Sequence, residues 1–284
     1  MSTFSGIWVA LVTPFRGGQV DLPALRSLAA HLIESGAAGL VVCGTSGEAA
    51  ALDEQEQLAV LDAVLEVVPA SRVVMGLAGN NQAAVLARLQ RVQRRPLAGI
   101  LVPAPYYIRP SQEGLQAFFL AVAEASRLPI ILYDIPYRSA VTLELQTLRQ
   151  LARHPRIVAI KDCGGDVRKT QALIADGQLD VLTGEDEQIF ATLCLGGSGA
   201  ISAAAHLRTA DFARVVSLLR KGDLLAGRAL FRELLPWIRL AFSEPNPAPV
   251  KAALALQGLI ADELRDPMLR ASDALRTQLR DRLP

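Results

Sequence analysis

Ile157-Val158-Ala159-Ile160-Lys161 is a short apolar run closed by a lysine. A run without polar alternation reads as a strand buried on both faces, the habit of parallel sheets. Working outward, seven more runs of this kind stand at residues 7–13, 39–44, 73–77, 99–103, 130–133, 181–184 and 200–202. Amphipathic segments separate them. Asp21 is placed to cap a helix with Leu25, Leu28, Leu32 and Ile33 on one face, and Gly36 follows its end. Asp53 and Glu56 have capping-box spacing ahead of Leu58, Leu61, Leu65 and Val68. Further helices fit residues 81–94, 112–126, 142–152, 166–175, 187–195 and 209–220.

Eight strand–helix units in about 220 residues point to an α/β fold closed as a (β/α)8 barrel. An open doubly wound sheet is the alternative. The expected division is a barrel over residues 1–222 and a helical appendage of three helices over 223–284, with Pro and Asn punctuation at 243–249.

Composition narrows the function. The 284 residues are 51% apolar and carry a net charge of +1 without a basic block, so nucleic acid is not the expected partner. No apolar run reaches the roughly 18–20 residues that span a bilayer. The N-terminal residues lack a basic stretch followed by an apolar one, so no secretory signal is expected. Cys43, Cys163 and Cys194 are odd in number and far apart. Buried, reduced thiols in a cytoplasmic protein fit that pattern better than disulfides. His31, His154 and His206 are scattered, and no carboxylate cluster has ligand spacing, so no metal is expected.

Lysine is scarce. Lys161, Lys169, Lys221 and Lys251 are the only four among 29 basic side chains. Arg cannot deprotonate in a protein, whereas a desolvated Lys can become a neutral amine able to attack a carbonyl. Sites in such barrels lie at the C-terminal ends of the strands, and Lys161 ends one. A rim ion pair with Asp162 or Glu185 is the other reading. Tyr133 ends the preceding strand, as a proton shuttle or a barrel-mouth aromatic. Gly44-Thr45-Ser46-Gly47 is either a nest for a carboxylate or an ordinary turn. Arg138, in a short loop after Pro136, either grips a second carboxylate or is a solvated surface arginine. Tyr107 sits in a loop beside Tyr106.

Taken together, these residues resemble a known family. Gly44-Thr45-Ser46-Gly47-Glu48, the stretch from Pro105 to Gly114, Tyr133-Asp134-Ile135-Pro136, Ile160-Lys161-Asp162, Gly199-Ala200-Ile201-Ser202 and Glu244-Pro245-Asn246-Pro247 look like the dihydrodipicolinate synthase family of pyruvate-dependent class I aldolases. The resemblance covers nearly the whole chain. It implies a TIM barrel with a C-terminal helical domain, assembled as a homotetramer built from two dimers. It implies a Schiff base between Lys161 and pyruvate, with Tyr133, Thr45 and Tyr107 as a proton relay, Tyr107 reaching into a partner's site. Thr45 and Ser46 would hold the pyruvate carboxylate, Arg138 the carboxylate of aspartate semialdehyde, and Gly184 and Ile201 would line the pocket. No metal or organic cofactor is implied.

Some positions depart from the family. Ser139-Ala140 replaces the usual Thr-Gly, Asp134 a common Asn, Tyr137 a small residue and Ile108 a polar one. Asn80 and Tyr106 match the family's lysine-feedback pocket, but Ala49, Gln57 and Ala84 stand where lysine-sensitive members usually have Ser, His or Glu, and Glu; without that acid and imidazole the resemblance implies weak or absent inhibition by lysine. Asp134, Tyr137 and Asp166 leave open a polyol substrate, as in N-acetylneuraminate lyase or 2-keto-3-deoxy sugar acid aldolases. A non-catalytic carboxylate-binding barrel is a further alternative, and Lys251 is the substitute nucleophile should Lys161 not serve.

Overall fold

The computed structural model describes residues 4–283. Residues 1–3, which open the stretch read above as lacking a secretory signal, and Pro284 lie outside them. All eight expected strands form: β1 (Gly6–Ala10), β4 (Gly39–Val42), β5 (Val73–Gly76), β6 (Gly99–Pro103), β7 (Ile130–Asp134), β8 (Ile157–Asp162), β9 (Asp180–Thr183) and β10 (Gly199–Ser202). They close a barrel in the order β1-β10-β9-β8-β7-β6-β5-β4, which sets aside the open sheet. The registers of β1 with β4, and of β5 through β10 in succession, run parallel. Two strands were not expected: β2 (Phe15–Arg16) and β3 (Gln19–Val20) pair antiparallel across Gly17-Gly18. At two residues each they are too short to show a pattern.

The chain falls into two compact units, 74–201 with the segment up to Gly6, and 7–73 with the chain from 202 onward. In the first, Ile100, Leu132, Ile160 and Leu182 are fully buried on their strands. Helices Gln82–Val92, Gln112–Ala125, Leu145–Leu151, Val167–Asp176 and Ile189–Cys194 connect those strands. Asn81, Ser111 and Asp166 cap three of them by accepting from backbone N–H groups.

In the second unit, helix Leu22–Glu34 buries Leu25, Leu28, Ala29 and Leu32, and Asp21 caps it as expected. Each leucine contributes roughly 1.5–3 kcal/mol by burial. The Asp53–Glu56 capping box is present. In the helix it starts, Glu54–Leu65, and just beyond it, Leu61 and Val68 of the expected stripe are buried, Leu58 and Leu65 are half-buried, and Gln57, Val60 and Val64 are buried beside them. The Gln57 amide is buried because it donates inward to the carbonyls of Ala49 and Leu52. Three helices, Leu224–Ala241, Ala248–Leu256 and Asp273–Arg282, follow Thr209–Arg220.

Four further expectations need correction. Of the three thiols expected to be buried, Cys43 and Cys163 are, whereas Cys194 is exposed at the end of its helix. The helix placed at 142–152 begins only at Leu145, because Thr142 and Leu143 are engaged by Asp134. The helix at 187–195 is split into a turn at Asp186–Gln188 and a helix at Ile189–Cys194. The loop carrying Arg138 is one helical turn, Pro136–Ser139, led by proline at its start.

Candidate active site

Tyr133 and Lys161 are cross-strand partners at the ends of β7 and β8. Both are buried, at 6% and 8% exposure. The Lys161 Nζ stands 4.3 Å from the centroid of the Tyr133 ring. Among the described residues Lys161 makes no ion pair. Asp162 is engaged instead by the N–H of Gly164 and the hydroxyl of Thr170, and Glu185 accepts from the Tyr137 hydroxyl at 3.1 Å. The rim ion pair is therefore not formed.

Gly184 follows β9, and its lack of a side chain is what admits the lysine. A Cβ there would stand 2.5 Å from Lys161 Cε and nearer still to Cys163 Sγ. Burial pushes the Cys163 thiol up, opposed by Lys161 and reinforced by Glu185. It is therefore a neutral neighbour. Ile201 lies fully buried on β10.

Arg138 is exposed, with its guanidinium 5.8 Å from the Tyr137 ring centroid and no carboxylate partner among the described residues. The turn that carries it ends at Ala140, which takes the left-handed conformation that a glycine adopts freely. Tyr107 also has left-handed backbone, at φ 71°, and is 86% exposed with no hydrogen bond among the described residues. The structure thus brings Tyr133, Lys161 and Gly184 together and leaves Tyr107 turned to solvent within its own chain.

In the other unit the Gly44–Glu48 segment is a tight turn. Gly47 and Glu48 donate to the carbonyls of Gly44 and Thr45, and the Thr13 hydroxyl donates to the Gly47 carbonyl at 2.7 Å. Cys43 and Glu48 flank it in the left-handed region. Thr45 is exposed and Ser46 buried. The Ser46 Oγ accepts from the side-chain amide of Asn246 at 2.8 Å. Glu48 pairs with Lys251, which is fully buried and also donates to the Glu263 carbonyl at 2.9 Å. Burial draws the Lys251 ammonium down, and Glu48 opposes it. So held, Lys251 is no substitute nucleophile.

The roles of Asn246, Glu48 and Lys251 escaped the sequence reading, since each meets partners far along the chain. The scarcity of lysine and the Glu244–Pro247 motif marked the places without showing what they touch. No group of three His, Cys, Asp or Glu among the described residues is placed to hold a metal ion.

Comparison with known proteins adds a family. Residues 3–284 match the model of the dihydrodipicolinate synthetase family. A 4-hydroxy-tetrahydrodipicolinate synthase of Syntrophobacter fumaroxidans is 40% identical over 284 residues, 99% of this chain and 98% of that protein. The dihydrodipicolinate synthase of Thermotoga maritima superposes with a TM-score of 0.95 at 31% identity, covering 98% of this chain and 97% of the other. A chloride-inhibited dihydrodipicolinate synthase of Acinetobacter baumannii, solved in complex with pyruvate, superposes at 0.93 with 33% identity, covering 98% and 97%.

Proposed function

From the premise that the chain belongs to the dihydrodipicolinate synthetase family, we propose that it joins pyruvate to L-aspartate-4-semialdehyde through a Schiff base on Lys161, yielding 4-hydroxy-tetrahydrodipicolinate. The observation that carries this reading is the buried Lys161, which faces Tyr133 and makes no ion pair among the described residues. No ion pair has to break before the nitrogen bonds a keto carbon.

The Lys161 nitrogen attacks the pyruvate ketone, and the resulting carbinolamine loses water to leave an iminium. Tyr133, with Thr45 and Tyr107, carries the protons for that dehydration. The iminium draws electrons from the methyl carbon, which gives up a proton and becomes an enamine. The enamine carbon attacks the aldehyde, whose oxygen gains a proton. The amine of the second substrate then displaces Lys161, closing the ring and freeing the enzyme. Thr45 and Ser46 hold the pyruvate carboxylate, Gly184 and Ile201 shape its pocket, and Arg138 orients the aldehyde through its carboxylate.

The polyol alternative is weaker than the sequence left it. Asp134 is fully buried against Lys169, and Asp166 is spent as a helix cap. Asp134 is thereby closed to a sugar hydroxyl, and Asp166 commits Oδ1 to the cap.

Borohydride reduction in the presence of pyruvate tests the mechanism. The wild type should gain the mass of one reduced pyruvyl group, and Lys161→Ala should gain none. An adduct that survives Lys161→Ala moves the nucleophile elsewhere, and turnover of N-acetylneuraminate in place of aspartate semialdehyde moves the substrate.

The same reading includes a barrel over 1–222 with a helical domain over 223–284, a cytoplasmic location and a homotetramer of paired dimers. Gly222, in left-handed backbone after helix Thr209–Arg220, supports the boundary. The described residues hold no helix long and apolar enough to cross a membrane. Lysine is expected to inhibit weakly or not at all, because Gln57 is turned inward onto backbone carbonyls. Half-inhibition below millimolar lysine would count against that expectation.

A further inference from the structure

Lys169 is a second buried lysine, 7% exposed, on helix Val167–Asp176. Its Nζ donates to Asp134 Oδ2 at 2.5 Å and to the Leu143 carbonyl at 3.3 Å, with the Thr142 hydroxyl at 3.4 Å. Asp134 is fully buried, and its other oxygen accepts from the Leu143 N–H at 3.0 Å. Burial drives the Asp134 carboxyl up, and Lys169 opposes this. An isolated carboxylate here would be costly, so the aspartate depends on its lysine.

The placement is informative. Asp134 and Asp162 are cross-strand partners one step beyond Tyr133 and Lys161. Alternation along a strand therefore sets them on the opposite face from that pair. Asp162 is fixed there by the Gly164 N–H at 2.9 Å and the Thr170 hydroxyl at 2.6 Å. Gly164 leaves the room: a Cβ would come within 2.7 Å of Lys169 Nζ and 3.1 Å of Asp134 Oδ2. The chain from Asp134 to Leu143 is a closed excursion with both ends on one carboxylate. Arg138 stands inside it, on a single turn, and makes no ion pair among the described residues.

We propose that the buried Lys169–Asp134 pair positions Arg138, by fixing both ends of the 134–143 segment so that the guanidinium meets the carboxylate of the second substrate. The proposal rests on the reading of Arg138 given above. Lys169 is then a positioning residue for one substrate and not for the other, because the Schiff base forms on the opposite strand face.

The test is steady-state kinetics on the full chain, together with borohydride trapping of pyruvate. Lys169→Met should raise the KM for aspartate semialdehyde about tenfold while leaving the pyruvate KM and the trapping rate near wild type. The double variant Lys169→Met with Asp134→Asn should recover most of the loss, since a neutral amide still accepts from Leu143 without needing a cation. It also removes the unpaired buried charge, should the single variant fold poorly. A parallel loss of pyruvate trapping, or an unchanged KM for the aldehyde in a folded variant, overturns the proposal. If Arg138→Ala itself leaves that KM unchanged, the reading of Arg138 fails instead.

Discussion

His206 is a buried imidazole whose Nε2 accepts from the Val12 N–H at 3.2 Å while its Nδ1 lies 2.8 Å from the Ala203 carbonyl. Both bonds suit the neutral ring. Desolvation outweighs the Ala203 bond and lowers its pKa from 6.5 to about 4. Below pH 6.5 the unfolded chain binds a proton that the folded ring refuses, so stability falls as pH drops toward 4. Above 6.5 neither state binds it and the term vanishes. The full effect is roughly 3 kcal/mol. Melting temperatures from pH 7 to pH 4 should show this decline, and His206→Gln should flatten part of it; an identical profile in the variant would rule the residue out. Strain is also legible at this scale. Among the described residues, the non-glycine residues in left-handed backbone are Tyr107, itself a candidate site residue, and Cys43, Glu48, Arg109 and Ala140, each within two residues of one. Such conformations cost about 1–3 kcal/mol each and collect at functional sites. Sequence marks the residue types at these places, whereas backbone sign depends on the loop each residue closes.

At the scale of elements, strands and caps were readable because their signals are local: apolar runs, Asp21, and the Asp53–Glu56 box. The four-residue helix at Pro136–Ser139 was not, because it is too short to carry a period. Nor were the braces behind the Gly44–Glu48 turn, where Asn246 and Lys251 come from far along the chain. Those braces yield a prediction. Lys251→Met would leave Glu48 buried without its cation, at a cost of about 3–5 kcal/mol. Adding Glu48→Gln should return much of that, read by denaturant unfolding. Asn246→Ala removes a single bond to Ser46 and should raise the pyruvate KM about fivefold with little change in stability. An unaltered pyruvate KM would show that Ser46 holds its place without Asn246.

At the scale of the whole molecule, the loop at residues 106–108 presents side chains that its own chain leaves uncovered. Tyr107 is 86% exposed, next to Tyr106 at 43% and Ile108 at 55%. Tyr106 is anchored by its N–H on the Asn80 side chain, and Ile108 by its N–H on the Tyr106 carbonyl. The loop is held while its tip stands free. A phenol held out on strained backbone suits a second copy of the chain, whose site it would complete across a two-fold axis. Activity alone cannot separate that arrangement from a tyrosine serving its own chain, but mixed protomers can. Lys161→Ala lacks the nucleophile and Tyr107→Phe lacks the hydroxyl, so each is expected to be nearly inactive by itself. Co-expressed in equal amounts, half of the two-fold dimers would be mixed. Each mixed dimer would pair an intact Lys161 with the other chain's intact Tyr107 at one of its two sites. Activity should then return to about a quarter of wild type. If Tyr107 acted within its own chain, no site in any mixed dimer would be whole, and the mixture would stay as inactive as its parents.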